Sequence, residues 1–76
     1  MSWKNIFVTW NHLIIGQKYK ADYHATAYHV TPTEVRPLSG GMISISGRFL
    51  NLGSRFECTG NANFDSGHLF EVIGNV

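Results

Sequence analysis

Hydrophobic and polar residues alternate most regularly between Met42 and Thr59. Ile43, Ile45, Gly47 and Phe49 take one phase; Ser44, Ser46 and Arg48 take the other. That is the period of a half-buried strand. Asn51-Leu52-Gly53-Ser54 supplies turn residues, with Gly53 free to take positive φ. Phe56 and Cys58 then alternate with Arg55, Glu57 and Thr59, so the segment reads as a β-hairpin. A loop centred on Leu52-Gly53 sets Phe49 opposite Phe56, Arg48 opposite Glu57 and Gly47 opposite Cys58. Matched pairs of this kind contribute roughly 0.2–1 kcal/mol each.

The same alternation starts earlier, after Gly16-Gln17. Tyr19, Ala21, Tyr23, Ala25 and Ala27 share one phase, and Lys18, Lys20, Asp22, His24 and Thr26 the other. This predicts one long strand with a small inner face and room for bulky rings opposite, with Phe49, Phe56 and the tryptophans as candidates. Residues 2–15 fit two templates. Trp3, Ile6, Phe7, Trp10, Leu13 and Ile14 lie on one helical face, with Ser2 as N-cap and Gly16 beyond the C-terminus. Against the helix, Val8 and Ile15 fall on the wrong side, and Ile6, Val8 and Trp10 also alternate as a strand before an Asn11-His12 turn. The helix or helical turn is the expectation carried forward. Thr31-Pro32-Thr33-Glu34 resembles a helix start, and Pro37 stops it after a turn. Residues 31–41 are therefore expected to be a connecting loop. Gly60-Asn61-Ala62-Asn63 is expected to end or bulge the second hairpin strand. Phe64-Asp65-Ser66-Gly67 is a turn, and His68–Ile73 a last strand.

Taken together, these elements predict a mainly β fold, or α+β if the N-terminal segment is helical. It is a small curved antiparallel sheet or an SH3- or OB-like barrel of 4–5 strands, with one short N-terminal helix or turn. With 76 residues the chain has room for a single domain, residues 1–76.

Composition narrows the function classes. Charged residues make up 14% of the chain, against about 25% in typical globular domains. The net charge is +1 with histidine neutral. Such a surface is weakly protected against self-association, which favours a homo-oligomer, and it predicts no strongly acidic or basic partner. Cys58 is the only cysteine, so no disulfide forms within the chain, and a reducing, cytoplasmic setting is expected. No apolar run approaches the roughly 18 residues of a membrane span, and no signal-like segment opens the sequence.

Candidate chemistry is sparse. His24 and His29 are five positions apart, which places them on opposite faces of a strand and about 140° apart on a helix. They, His12, His68 and Cys58 lack the close ligand pairs of structural zinc. Cys58 falls on the inward phase of its strand, as small inert core cysteines do. Glu57 is accounted for by Arg48 and Asp65 by its turn, so no acid–base pair stands out. Neither a cofactor nor catalysis is expected.

Two binding readings remain. Tryptophan and tyrosine are favoured interface anchors, and Trp3, Trp10, Tyr19, Tyr23 and Tyr28 are many for so small a core. The leading expectation is a non-enzymatic binding or assembly module acting on itself or another protein, away from membranes. The alternative is a small β-barrel that binds single-stranded nucleic acid or a nucleotide by stacking bases beside basic residues. Lys18, Lys20, Tyr23, Tyr28, Trp3, Trp10 and Arg48 are the candidate binding residues.

Overall fold

The computed structural model describes residues 5–74. Among them are six strands: β1 (Phe7–Val8), β2 (Lys18–Tyr23), β3 (Thr26–Leu38), β4 (Met42–Asn51), β5 (Glu57–Asp65) and β6 (Phe70–Ile73). They form one antiparallel sheet in the order β1-β6-β2-β3-β4-β5. The chain is mainly β, and the curved-sheet form of the expectation holds. The sheet is open, with β1 and β5 at its two edges.

Its curvature follows from which rings meet. Phe64 on β5 lies 5.3 Å from Tyr23 on β2 and 5.2 Å from Phe70 on β6, measured between ring centroids. Three strand intervals separate β5 from β2, roughly 14 Å across a flat sheet. The rings meet because the sheet curls and brings β5 back over β2 and β6. One face becomes concave and holds the core: Tyr19, Val30, Ile43, Ile45, Phe64 and Phe70 are all buried.

β4 carries the concave phase read from the sequence, with Ile43, Ile45, Gly47 and Phe49 all buried. Its register with β5 differs from the expected one by two residues. Phe49 pairs with Cys58, Arg48 with Thr59 and Gly47 with Gly60. The loop is longer than a tight turn because the Asn51 carbonyl accepts from Arg55 N (2.8 Å), while its side-chain oxygen accepts from Gly53 N and Ser54 N. A slip of two residues leaves every side chain on its face. Arg48 and Glu57 still meet diagonally, Nε to Oε2, at 3.6 Å. Both are exposed, so the pair contributes roughly 0–1 kcal/mol.

The expected long strand from Lys18 is two strands. His24 and Ala25 both take positive φ, 50° and 64°, and make a two-residue hairpin turn that pairs Tyr23 with Thr26. Tyr19, Ala21 and Tyr23 keep the concave side. Tyr28, opposite Ala21, takes the concave place expected for Ala27, which lies opposite Asp22 on the convex side.

Residues 31–38 are strand and not loop, since β3 runs through both prolines to Leu38; the connection is the turn Ser39–Gly41 alone. Pro32 and Pro37 pair with Gly47 and Ile43. Beyond Val30, β3 pairs with no β2 residue; the Pro32 carbonyl instead accepts from Gly16 N at 2.9 Å, so its missing N–H faces the 13–17 loop and not a ladder partner. A bulge between Pro32 and Glu34 inserts Thr33 and resets the phase. Val35 then shares the concave side with Val30, which Glu34 would otherwise occupy. Residues 60–63, expected to end or bulge a strand, lie within β5, which continues to Asp65. The Asp65 turn is as expected, its Oδ2 accepting from Gly67 N at 2.9 Å.

In the N-terminal segment the strand template is the closer one. Phe7–Val8 pairs with β6, and Trp10–His12 makes a single 3-10 turn rather than a helix. The β-branched residues Ile6, Val8 and Thr9 disfavour helix, and the open margin of β6 offers backbone partners instead. Ser2 and Trp3 lie outside the described residues.

Gly47 and Gly60 are register partners with opposite tolerance for a side chain. A Cβ on Gly47 (φ +154°) would overlap the Thr31 carbonyl oxygen and stand 2.9 Å from Pro32 Cα, whereas one on Gly60 meets nothing within 4 Å. Gly47→Ala is expected to cost about 2–3 kcal/mol. Gly60→Ala should be neutral or stabilising by up to about 1 kcal/mol. Urea unfolding of the two variants beside the parent checks both.

Candidate functional site

A chain of rings crosses the concave face. Phe49 lies 6.3 Å from Tyr28, Tyr28 6.4 Å from Tyr23, Tyr23 5.3 Å from Phe64, Phe64 5.2 Å from Phe70 and Phe70 6.4 Å from Tyr19. These are favourable aromatic spacings, each pair contributing about 0.5–1.5 kcal/mol beyond area burial. The Tyr19–Phe70 end is buried, and the Tyr19 hydroxyl accepts from Ile14 N at 2.8 Å, which ties the 13–17 loop to the core. The Tyr23–Tyr28 end is half-buried and opens into a cleft of about 150 Å³. Phe49, Cys58, Gly60, Asn61 and Ala62 complete its lining. Ligand pockets usually span about 300–1,000 Å³. This cleft suits one side chain or one small ring.

The candidate residues fall into two groups. Tyr23 and Tyr28 line the cleft on the concave side. Lys18, Lys20 and Arg48 are exposed on the convex side, in the phase opposite to Tyr19 and Phe49. Lys18 and Lys20 on β2 and Arg48 on β4 share the convex face with β3 between them, and the sheet separates all three from the tyrosines. Trp10 is half-buried and packs against the core. Trp3 lies outside the described residues.

Cys58 is exposed, a correction to the buried position expected. It keeps the concave phase opposite Phe49, but it sits on the sheet's last strand, where no further strand covers it. Phe56, expected as a core ring, is 68% exposed.

The convex cations have a local electrostatic effect. Burial holds the His29 pKa below 6.5, and Lys18, Lys20 and Arg55 push it the same way. Arg55, which takes φ 64° in the loop before β5, joins Lys18 and Lys20 in this effect. The cleft wall formed by Gly60, Asn61 and Ala62 was missed. The signal was an unbroken run of small uncharged residues, compatible with a strand that leaves space beside it.

A second cleft, about 200 Å³, lies at the β1–β6–β2 margin and is lined by Phe7, Lys20, Ala21, Asp22, His68, Leu69 and Glu71. It mixes a cation, two carboxylates and two exposed apolar side chains. Among the described residues, no three of His, Cys, Asp and Glu gather closely enough to hold a metal ion. The histidines are spread apart: His24 lies against Tyr23 at 4.3 Å and His68 between Phe64 and Phe70 at 5.0 and 4.8 Å. No helix is long and apolar enough to cross a membrane among the described residues. Comparisons with protein-family models, curated proteins and solved structures find no match.

Burial among the rings lowers the His68 pKa from 6.5, more than Asp22 and Asp65 raise it. A histidine with a depressed folded pKa binds protons more readily in the unfolded chain. Its contribution is therefore complete above pH 6.5 and declines as pH falls through that value toward the lower folded pKa. Thermal unfolding between pH 7.5 and 5 should show the melting temperature dropping on the acid side. His68→Phe should flatten that part of the profile.

Proposed function

We propose that this chain is a small non-enzymatic binding or assembly module that works as a homo-oligomer through its apolar and aromatic surfaces. The observation that carries the reading is the amount of large apolar surface left outside the core. Ile6, Phe7 and Leu69 at the β1–β6 margin, and Ile14 and Ile15 in the loop tied by Gly16 and Gln17 to the Pro32 and Ile73 carbonyls, are each more than half exposed. Phe56 is exposed at the opposite edge. Apolar side chains scattered singly are ordinary. A margin of them on a chain of 14% charged residues favours association. The cytoplasm is the compartment that suits its single exposed thiol.

The convex cations favour a second reading. Lys18, Lys20, Arg48 and Arg55 can track the phosphates of a single strand. The tyrosines on the other face do not supply the stacking platform that such binding normally uses.

Sedimentation velocity across about 1 µM to 1 mM protein tests the first reading. A concentration-dependent shift to a larger species supports it, and a monomer throughout rules it out. Titration with single-stranded DNA or RNA at two salt concentrations tests the second. Binding that weakens with salt would support it, with a log–log slope about 0.7 shallower for each phosphate that Lys20→Ala or Arg48→Ala leaves unneutralised. No salt-dependent binding removes it.

A further inference from the structure

β5 is an edge strand of nine residues, Glu57–Asp65. Seven consecutive residues, Cys58 to Phe64, carry no charge, and the strand contains no proline. It therefore lacks the usual devices that keep a sheet edge from pairing with another chain. Its two halves differ. Ala62 and Phe64 are buried under the curled sheet, while every residue from Phe56 to Asn61 is exposed. The hydrogen bond from Asn51 N to Phe56 O fixes the backbone alternation. Cys58 and Gly60 aim their backbone groups at β4, and Glu57 and Thr59 aim theirs at the free edge.

We propose that the free half of β5 pairs antiparallel with β5 of a second copy, about a two-fold axis through Cys58. This rests on the oligomer reading above and assigns its interface. In this register Phe56 of each chain lies opposite Gly60 of the other, Glu57 opposite Thr59, and Cys58 opposite Cys58. Glu57 and Thr59 supply the inter-chain backbone hydrogen bonds. Phe56, the most exposed large apolar side chain among the described residues, has the concave phase and comes over a glycine whose surroundings are empty. The apolar cleft beside Gly60, with room for one side chain, receives the ring. An aromatic ring laid across a strand glycine is a recognised way of securing an edge.

Neighbouring registers fail for separate reasons. An axis through Glu57 opposes two like charges. Axes through Thr59 or Gly60 place Phe56 opposite the buried Ala62 or Phe64. An axis through Asn61 opposes Glu57 and Asp65. Only the Cys58 register keeps the pairs from Phe56 to Gly60 on exposed residues without a repulsion.

Thr59 separates this interface from folding, because it faces Arg48 within the chain and Glu57 across the proposed axis. Thr59→Glu adds a favourable partner for Arg48 but sets like charges together twice across the interface. Thr59→Lys does the reverse. Sedimentation should show the dissociation constant rising roughly 2- to 30-fold for Thr59→Glu and falling for Thr59→Lys. Phe56→Ser should raise it by at least about 30-fold. Circular dichroism should show all three variants folded. Cys58 pairs across a two-fold sit roughly 4.5 Å apart at Cα, within disulfide reach. Diamide, which takes up the two electrons and two protons released, should therefore cross-link the parent rapidly and Phe56→Ser slowly. If the parent associates but diamide gives no Cys58 cross-link and the Thr59 and Phe56 variants associate as the parent does, this interface is wrong while the oligomer reading stands. A parent that stays monomeric overturns both.

Discussion

At Gly47, β4 runs hard against the backbone of β3 beside its bulge. No side chain fits there, because the Thr31 carbonyl occupies the space a Cβ would need. The bulge and the glycine are one device. Thr33 is the inserted residue, and its hydroxyl donates to the Ser46 carbonyl at 3.2 Å. The insertion turns β3 over by one phase, so Val30 and Val35 both serve the concave side although an odd number of positions separates them. It also increases the local twist. Past this point the sheet curls and β5 returns over β2 and β6, bringing Phe64 to Tyr23 and Phe70.

Everything on the concave side follows from that return. Phe64 reaches Tyr23 and Phe70 only because the sheet curls. The resulting chain of rings gives a chain with few charges and no possible internal disulfide a core that a flat sheet could not have. The curl also stops short of closure. β5 folds inward at Ala62 and Phe64 and stays out at Cys58 and Gly60, which leaves a cleft where a closed barrel would have a hydrogen-bonded seam.

The parts of this arrangement that depend on side-chain phase were legible in the sequence. The alternation of Ile43, Ile45, Gly47 and Phe49 marked the concave face of β4, and Asp65-Ser66-Gly67 marked its turn. The parts that depend on backbone geometry were not. Asn51 bonds its own loop and lets Arg55 take φ 64°, which moves the register by two without disturbing the phase, so phase could not report it. His24 and Ala25 turn the chain with no glycine or asparagine to mark the place. Both prolines of β3 signalled a break because their tolerance depends on what lies beside the strand, a tertiary fact. The candidate site was legible residue by residue but not as an arrangement. Lys18, Lys20 and Tyr23 alternate along one strand, and that alternation is what sends them to opposite faces.

The exposed end of β5 is where these constraints meet. A chain this small buries too little surface to cover every aromatic ring, and the rings nearest the curl are taken first. Phe56 lies beyond it, on the loop that Asn51 lengthens. Lengthening the loop shifts Phe56 out of its expected pairing with Phe49 and puts Cys58 there instead. The same shift that exposes Phe56 brings Gly60 opposite Gly47, so the glycine that β3 demands in β4 is matched by one that leaves the cleft open in β5. An unfilled apolar space and an uncovered ring thus arise from a single register, four residues apart along the chain. Within one chain Phe56 cannot lie opposite Gly60 of its own strand. Only another strand, running antiparallel, can bring them face to face.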